Sequence, residues 1–591
     1  MAQTVERPTP ADSGLSTIGE LWRQAVDAGR SGAAFLVSEA GGWREVSWAE
    51  ADARVTALAN GFLAAGVRKG DKVAILCRTR LEWTLIDYAL ATIGAIVIPI
   101  YPTSSPAEIE YILRDSETKV LISEDAEQLV KTNDLEPGLP ALELVIGIDE
   151  AASGGTLADL EAAGNAYAVE HPDAVNQAAA QVGLEDVLTF LYTSGTTGNP
   201  KGCLLSQRNY AAMVESVATV DNLFREDDTA LLFLPLAHNF ARLVEFLQAS
   251  VGFTLAYCAD VREVSKALME VKPTLFPSVP RVYEKVHTAV KSAAAEGSPV
   301  KRRLAAWAFA VGDRKVNGRS GPAHALQARL ADRLVLGKVR ARMGGRLRFA
   351  VSGGAPLAPE IAQFFGACGV VILEGYGMTE CTTAATMNRP GGHRFGTVGP
   401  ALPGIELRLD TDGEILIRGE NVFGGYYRNP DATAETLTED GWLRSGDIGT
   451  IDDDGHLRIT DRKKDILVTA GGKNVSPQVI ENALKVSPYV SQALVVGDNR
   501  PYIAALITVD PDEIKALGAP GSAEVHAAIE QVVADVNNDL GRVEQIKRFS
   551  ILPRDFSAEE GEITPTLKLK RRICVDHFRD EVEQLYAESR R

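Results

Sequence analysis

The 591 residues include 61 Lys/Arg and 79 Asp/Glu, a formal net charge of −18. With 45% hydrophobic and 24% charged residues, this is the composition of a soluble globular protein, not of a disordered, fibrous or polytopic membrane chain. A pI near 5.1 argues against general nucleic-acid binding, which needs basic surface, yet allows one bound nucleotide.

The six cysteines form no CxxC pair and no metal-like cluster. In a chain of this length they point to a reducing, cytoplasmic setting, not a disulfide framework. Met1–Ser13 lacks the basic-then-apolar pattern of a secretory leader. The most apolar run, Ala89–Ile100, is too short to span a bilayer and reads as buried strand.

In chain order, Ser47 and Glu50 read as a capping box for a helix over 51–65, with Gly66 as its stop. Lys72–Cys77, Ile96–Ile100 and Lys119–Ser123 read as buried strands, with a helix over Leu81–Ile93. This alternation predicts βαβ units and a parallel sheet. After about residue 395 the pattern changes. Ile405–Leu409 and Glu414–Arg418 flank Asp412-Gly413, and Ile448–Ile451 and His456–Ile459 flank Asp454-Gly455, as in antiparallel hairpins. Asp452-Asp453-Asp454 lacks the spacing of a calcium loop and reads as a turn. Asp461–Asp465 is a charged linker candidate. Beyond it come a helix opened by Ser476-Pro477, strands over Val490–Val496 and Tyr502–Val509, and a helix over Ala523–Leu540. The expected architecture is α/β: a large N-terminal domain of stacked α/β subdomains plus a β-rich subdomain, then a small mobile α+β domain. The expected boundaries are 1–460, a hinge at 461–465, and 466–591.

The most informative segment is Tyr192-Thr-Ser-Gly-Thr-Thr-Gly-Asn-Pro-Lys-Gly202. The hydroxyls of Thr193, Ser194, Thr196 and Thr197, the glycines Gly195 and Gly198, and Lys201 suit an anion held by backbone N–H groups, hydroxyls and one cation. The spacing is not that of the GxxxxGK[ST] phosphate loop. Phe190-Leu191 before it reads as a strand end, where α/β folds place ligands.

This segment resembles the phosphate loop of the adenylate-forming superfamily, which includes acyl-CoA synthetases, nonribosomal-peptide adenylation domains and luciferases. Further motifs follow in the family's order. Ser352-Gly353-Gly354-Ala355-Pro356 resembles the adenine-side loop, and Glu374-Gly375-Tyr376-Gly377-Met378-Thr379-Glu380 the aromatic-and-acid motif. The resemblance implies that Tyr376 stacks on adenine, Thr379 meets the α-phosphate and Glu380 holds Mg²⁺. Gly441–Asp447 matches a third motif, in which Asp447 accepts the ribose hydroxyls; Ser445 stands where the family more often has Thr. Arg462 would meet the ribose or α-phosphate, Lys464 matches the hinge, and Gly471-Gly472 would line a channel for the thiol of coenzyme A. In Thr564–Arg572, Lys568 matches the catalytic lysine by position, with Lys570 the rival two residues on. Leu234–His238 and Val279–Lys285 are most similar to the long-chain branch, which would set His238 near the acyl carboxylate and phosphate.

The implied activity is a two-step ligation. ATP and a long-chain fatty acid give acyl-adenylate and pyrophosphate, and coenzyme A then displaces AMP. Two alternatives stay open: an acyl-AMP ligase that serves a carrier protein, and a ligase for an aromatic or shorter acid. A non-enzymatic scaffold would be expected to have lost Thr379, Glu380, Asp447 or Lys568. No nucleophilic cysteine is expected, and Cys203 and Cys381 read as packing residues. The oligomeric state stays open.

Residues 281–348 hold sixteen Lys/Arg and four Asp/Glu, a net +12. This basic island reads as a solvated helical face, as a membrane-peripheral contact with anionic lipid, or as a lure for an anionic substrate.

Overall fold

The structure is a computed structural model that describes residues 14–132, 138–193, 199–318, 322–557, 559–564 and 569–587. Two large sheets form the N-terminal part. The first orders its six strands Leu144–Gly147, Val120–Ser123, Lys72–Leu76, Ile96–Ile100, Val187–Thr193 and Lys201–Ser206. All neighbours run parallel except the last pair, which places Thr193 opposite Lys201. The second has eight strands, with Phe349–Ser352 and Ile372–Tyr376 side by side and parallel. The apolar runs explain the parallel cores: Val73–Leu76 and Ile96–Ile100 are buried at every residue.

The expected elements recur closely. The helix Leu81–Ile93 and the strands Ile96–Ile100 and Val490–Val496 have the expected bounds. Both Asp-Gly turns join antiparallel strands, Glu406–Leu409 to Glu414–Arg418 and Leu443–Ile451 to Leu457–Arg462. Ser47 Oγ caps the Glu50 amide at 3.1 Å, but the Glu50 carboxylate bonds Arg44 at 2.8 Å instead of closing the box. The strand Leu457–Arg462 runs through Asp461 and Arg462, because Asp447 and Ile448 supply ladder partners that the charge pattern does not reveal. Asp452 accepts from the amides of Asp454 and His456, as a turn residue does, and pairs with Arg394. All six cysteines are buried and free, and burial pushes the Cys381 thiol up to about 12.

The C-terminal part has its own cores. One groups Leu467, Ile480, Val495, Ile507 and Ile529; the other groups Leu494, Leu506, Phe556, Phe578 and Tyr586. Its contacts with the N-terminal part include Val486, which packs on the N-terminal core, and several polar pairs. Arg281 donates to the Ser491 carbonyl and hydroxyl at 2.7 Å each, Lys485 meets Glu284 at 3.6 Å, and the Ser292 hydroxyl donates to Glu513.

Two features fix helices behind the cleft. Arg242 and Asp87, both fully buried, pair at 2.6 and 2.9 Å. The Arg242 guanidinium lies 5.3 Å from the Tyr210 ring and 5.5 Å from those of Trp83 and Phe246. The pair ties the helix Asn239–Val251 to the helix Leu81–Ile93. Elsewhere, Trp48–Ala64 and Leu157–Glu170 approach so closely that a Cβ on Gly164 would stand 1.9 Å from the Ala57 carbonyl oxygen. Gly164→Ala should therefore destabilise the N-terminal part by about 1–3 kcal/mol, read as a lowered midpoint in thermal melts.

Candidate functional site

A cavity of about 980 Å³ opens where both large sheets end and the C-terminal part approaches. Thr193 and Lys201 line it from the first sheet, and Ser352, Gly353, Gly354, Gly375 and Gly377 from the second. Gly377 has a steric role: a Cβ there would stand 2.2 Å from the Thr383 carbonyl oxygen. Gly354 takes a positive φ of 83° in the turn after Ser352. Ser194, Gly195, Thr196, Thr197 and Gly198 lie outside the described residues.

At the polar end Asp447 is the organising group. It is buried; its Oδ2 accepts from the Tyr376 hydroxyl at 2.7 Å and its Oδ1 from Arg462 Nε at 3.1 Å. Ser445 Oγ accepts from the Asp447 amide at 3.1 Å and donates to the Ile415 carbonyl at 2.6 Å. The serine thus supplies the hydroxyl that the more usual threonine would. Three residues of separate motifs meet here, though only Arg462 lines the cavity itself.

Beside it, Thr379 and Glu380 form a short helical turn. Glu380 is buried, and its Oε1 accepts from the Tyr426 hydroxyl at 2.7 Å. Lys201 Nζ lies 5.1 Å from the centre of the Tyr426 ring. Tyr426 is a site residue that the sequence reading missed. It sits outside every motif, and nothing in the chain order links it to Glu380. Among the described residues no group of three or more His, Cys, Asp or Glu could hold a metal. A single carboxylate fits Mg²⁺, which keeps water and phosphate oxygens in its shell and needs only one or two carboxylates from protein.

His238 caps the helix Asn239–Val251, its Nδ1 accepting from the Phe240 amide at 3.1 Å. That bond leaves the proton of a neutral ring on Nε2. His238 lines the cavity. Next to it, Asn239 accepts from the Tyr210 hydroxyl and donates to the Thr379 carbonyl at 3.4 Å. Beyond these polar groups the cavity becomes apolar, with Val217, Phe224, Leu243, Leu247, Leu275 and Phe349 as its walls. Asn239, Leu243 and Leu247 all face it, so it follows this helix for about 12 Å at 1.5 Å per residue.

Not every expected residue is at the cavity. Ala355 is exposed and does not line it. Glu374 does not line it either; it is buried, and desolvation pushes its carboxyl up to about 8 despite a bond from the Leu357 amide and the charge of Arg458. Gly471 and Gly472 form an exposed turn away from it. Lys464 lines it, as do Thr564, Leu569 and Lys570. Lys568 lies outside the described residues.

A carboxyl held neutral by burial stabilises the fold fully below its unfolded pKa, and that stability is lost as pH rises through the folded value near 8. The wild type should lose thermal stability relative to Glu374→Gln between pH 5 and 8, at about 1.4 kcal/mol per pKa unit. Parallel melts check this; curves that stay level across that range would remove the neutral carboxyl.

Two family models match the chain. One, described as AMP-binding enzyme, spans residues 21–427, and the other, AMP-binding enzyme C-terminal domain, spans 464–590. A long-chain-fatty-acid–CoA ligase, FadD15 of Mycobacterium bovis, is 40% identical over 92% of this chain and 93% of its own. The rat long-chain-fatty-acid–CoA ligase ACSBG1 is 30% identical over 97% of this chain and 86% of its own. Among solved structures, the adenylation domain of a Mycobacterium chelonae carboxylate reductase matches at TM-score 0.76, with 23% identity, over 98% of this chain and 92% of its own. A Mycobacterium tuberculosis fatty acyl CoA synthetase matches at 0.62 and 23% identity over 95% and 98%. Both structures share the fold.

Proposed function

The chain belongs to the AMP-binding enzyme family, and on that premise we propose that it is an ATP-dependent ligase joining a long-chain fatty acid to coenzyme A through an acyl-adenylate. One observation carries the choice of acid. The cavity passes from a polar end at Glu380, Arg462 and His238 to apolar walls that include Leu243 and Leu247, and it follows the helix Asn239–Val251 for about 12 Å in all. A short polar acid would leave those walls unfilled. An alkyl chain removes them from water at about 25 cal/mol per Å² of apolar area.

The site's task is charge placement. Thr193, Lys201 and the loop between them receive the phosphates of ATP, with Ser352, Gly353 and Gly354 beside the base. Tyr376 flanks the adenine, and Asp447 and Arg462 hold the ribose. Glu380, oriented by Tyr426, would hold Mg²⁺, which when bound neutralises phosphate charge. His238 steers the acid's carboxylate at the mouth of the channel, and Thr379 meets the α-phosphate. The carboxylate oxygen attacks the α-phosphorus, the bond to the β-phosphate oxygen breaks, and pyrophosphate leaves. Lys568 stabilises the charge that gathers there. The thiol of coenzyme A then attacks the acyl carbon and AMP leaves.

Thr564, Leu569 and Lys570 line the cavity while Gly471 and Gly472 stand away from it. That arrangement suits the first step. For the second, the C-terminal domain, here 466–591, would turn about Lys464 to bring Gly471 and Gly472 to the thiol. That turn would break the polar contacts at Arg281, Glu284 and Ser292 and the packing of Val486.

Two variants test the reading. Leu247→Trp should raise KM for palmitate about tenfold or more while sparing octanoate, because only the longer chain reaches that wall. An equal effect on both acids would remove the channel from the account. Lys568→Ala should abolish adenylate formation yet still make thioester from supplied acyl-adenylate, and equal loss of both half-reactions would refute its role.

A further inference from the structure

The basic island contains a surface that the ligation does not use. Within residues 299–318 and 322–342 two helical arms pack together. Pro299–Val316 is one arm; Pro322–Ala331, a wider π-type turn over Asp332–Leu336 and Gly337–Arg342 form the other. Their inner sides pack in a small core, where Ala308, Val311, Ala331, Leu336 and Val339 meet Val290 and Cys368 of neighbouring elements.

The outer side of the second arm is unusual. Leu326, Leu330 and Leu334 are 72%, 50% and 37% exposed. Their four-residue spacing lines them along one helix face. Arg329 and Arg333, both exposed, alternate with them. The first arm opens with Val300, 76% exposed, followed by the exposed Lys301, Arg302 and Arg303. The island's ion pairs fall elsewhere, at Arg281–Glu284, Arg340–Asp332 and Arg348–Asp228. Among the described residues, Arg329 and Arg333 have no carboxylate partner.

Two physical demands coincide on this face. Arg329 and Arg333, in a segment of net +12 on a chain of net −18, seek an anionic partner, since the rest of the chain is acidic. A leucine row seeks an apolar phase. Nucleic acid would meet the first demand but not the second. A bilayer of anionic lipid meets both, with leucines in the acyl boundary and guanidinium groups at the lipid phosphates. We propose that the second arm docks the protein on an anionic bilayer through Leu326, Leu330, Leu334, Arg329 and Arg333. Docking does not depend on the acid's identity. If the acid is long-chain, docking sets the enzyme on the phase in which its substrate dissolves. No helix among the described residues is long and apolar enough to cross a membrane, so the contact is peripheral.

The test is flotation of the full chain with phosphatidylcholine vesicles, with and without phosphatidylglycerol. Variants are Arg329→Glu/Arg333→Glu and Leu326→Gln/Leu330→Gln, with Lys266→Glu as a surface control. The wild type and the control should bind the anionic vesicles and not the neutral ones. Each double variant should lose about tenfold or more in vesicle affinity, at roughly 1 kcal/mol per basic residue at the surface. Unchanged thermal midpoints and unchanged turnover of a soluble short acid would exclude misfolding. No wild-type binding, or equal binding by all variants, overturns the proposal. Loss in the arginine variant alone overturns insertion and leaves only surface adsorption. Binding to RNA without binding to vesicles reassigns the face.

Discussion

The carboxylate of Asp447 is the group on which the rest of the cleft depends. It lies in the antiparallel sheet, receives the hydroxyl of Tyr376 from the end of a strand in the large parallel sheet, and receives Arg462 from the strand that leads to the C-terminal part. A buried carboxylate is tolerable only with such partners. One carboxylate therefore joins the antiparallel sheet to the large parallel sheet and fastens Arg462 on the neighbouring strand. On the proposed reading a ribose would use the same oxygens and would share this acceptor with Arg462.

Charge is graded along the cavity. Lys201, Arg462, Lys463, Lys464 and Lys570 line its polar end together with the carboxylates of Glu380, Glu414, Glu435 and Asp465. Glu374 is held largely neutral by burial near pH 7, so it adds little to their charge. Lys463 is fastened by Asp412 and Glu414, whose hydrogen bonds raise it to about 12. That tether fixes one side of the turn while Lys464 beside it is exposed. Further back, the buried Arg242–Asp87 pair keeps the helix Asn239–Val251 in place, so His238 at its start and the apolar channel along its side are positioned by one rigid element.

Contiguous features were legible in the sequence. The strands Ile96–Ile100 and Val490–Val496, the Asp-Gly hairpins and the loop motifs each announce themselves within a few residues, because backbone turns and ladders are local. Side-chain meetings between distant segments were not. Tyr426 reaches Glu380 across 46 positions, and the channel's walls come one or two residues at a time from several helices and strands. Glu374 misled for the opposite reason. It stands in a motif, but its strand turns it into the core. Asp461 and Arg462 looked like linker because charge marks loops, yet ladder pairing with Asp447 and Ile448 keeps them in a strand.

The most direct measurement of the central claim is mass spectrometry of the products formed from ATP, Mg²⁺ and palmitate, with and without coenzyme A. The account predicts palmitoyl-adenylate without coenzyme A, and palmitoyl-CoA with stoichiometric AMP when it is present. Adenylate that persists in the presence of coenzyme A, or no product from palmitate while a short or aromatic acid is activated, would contradict it.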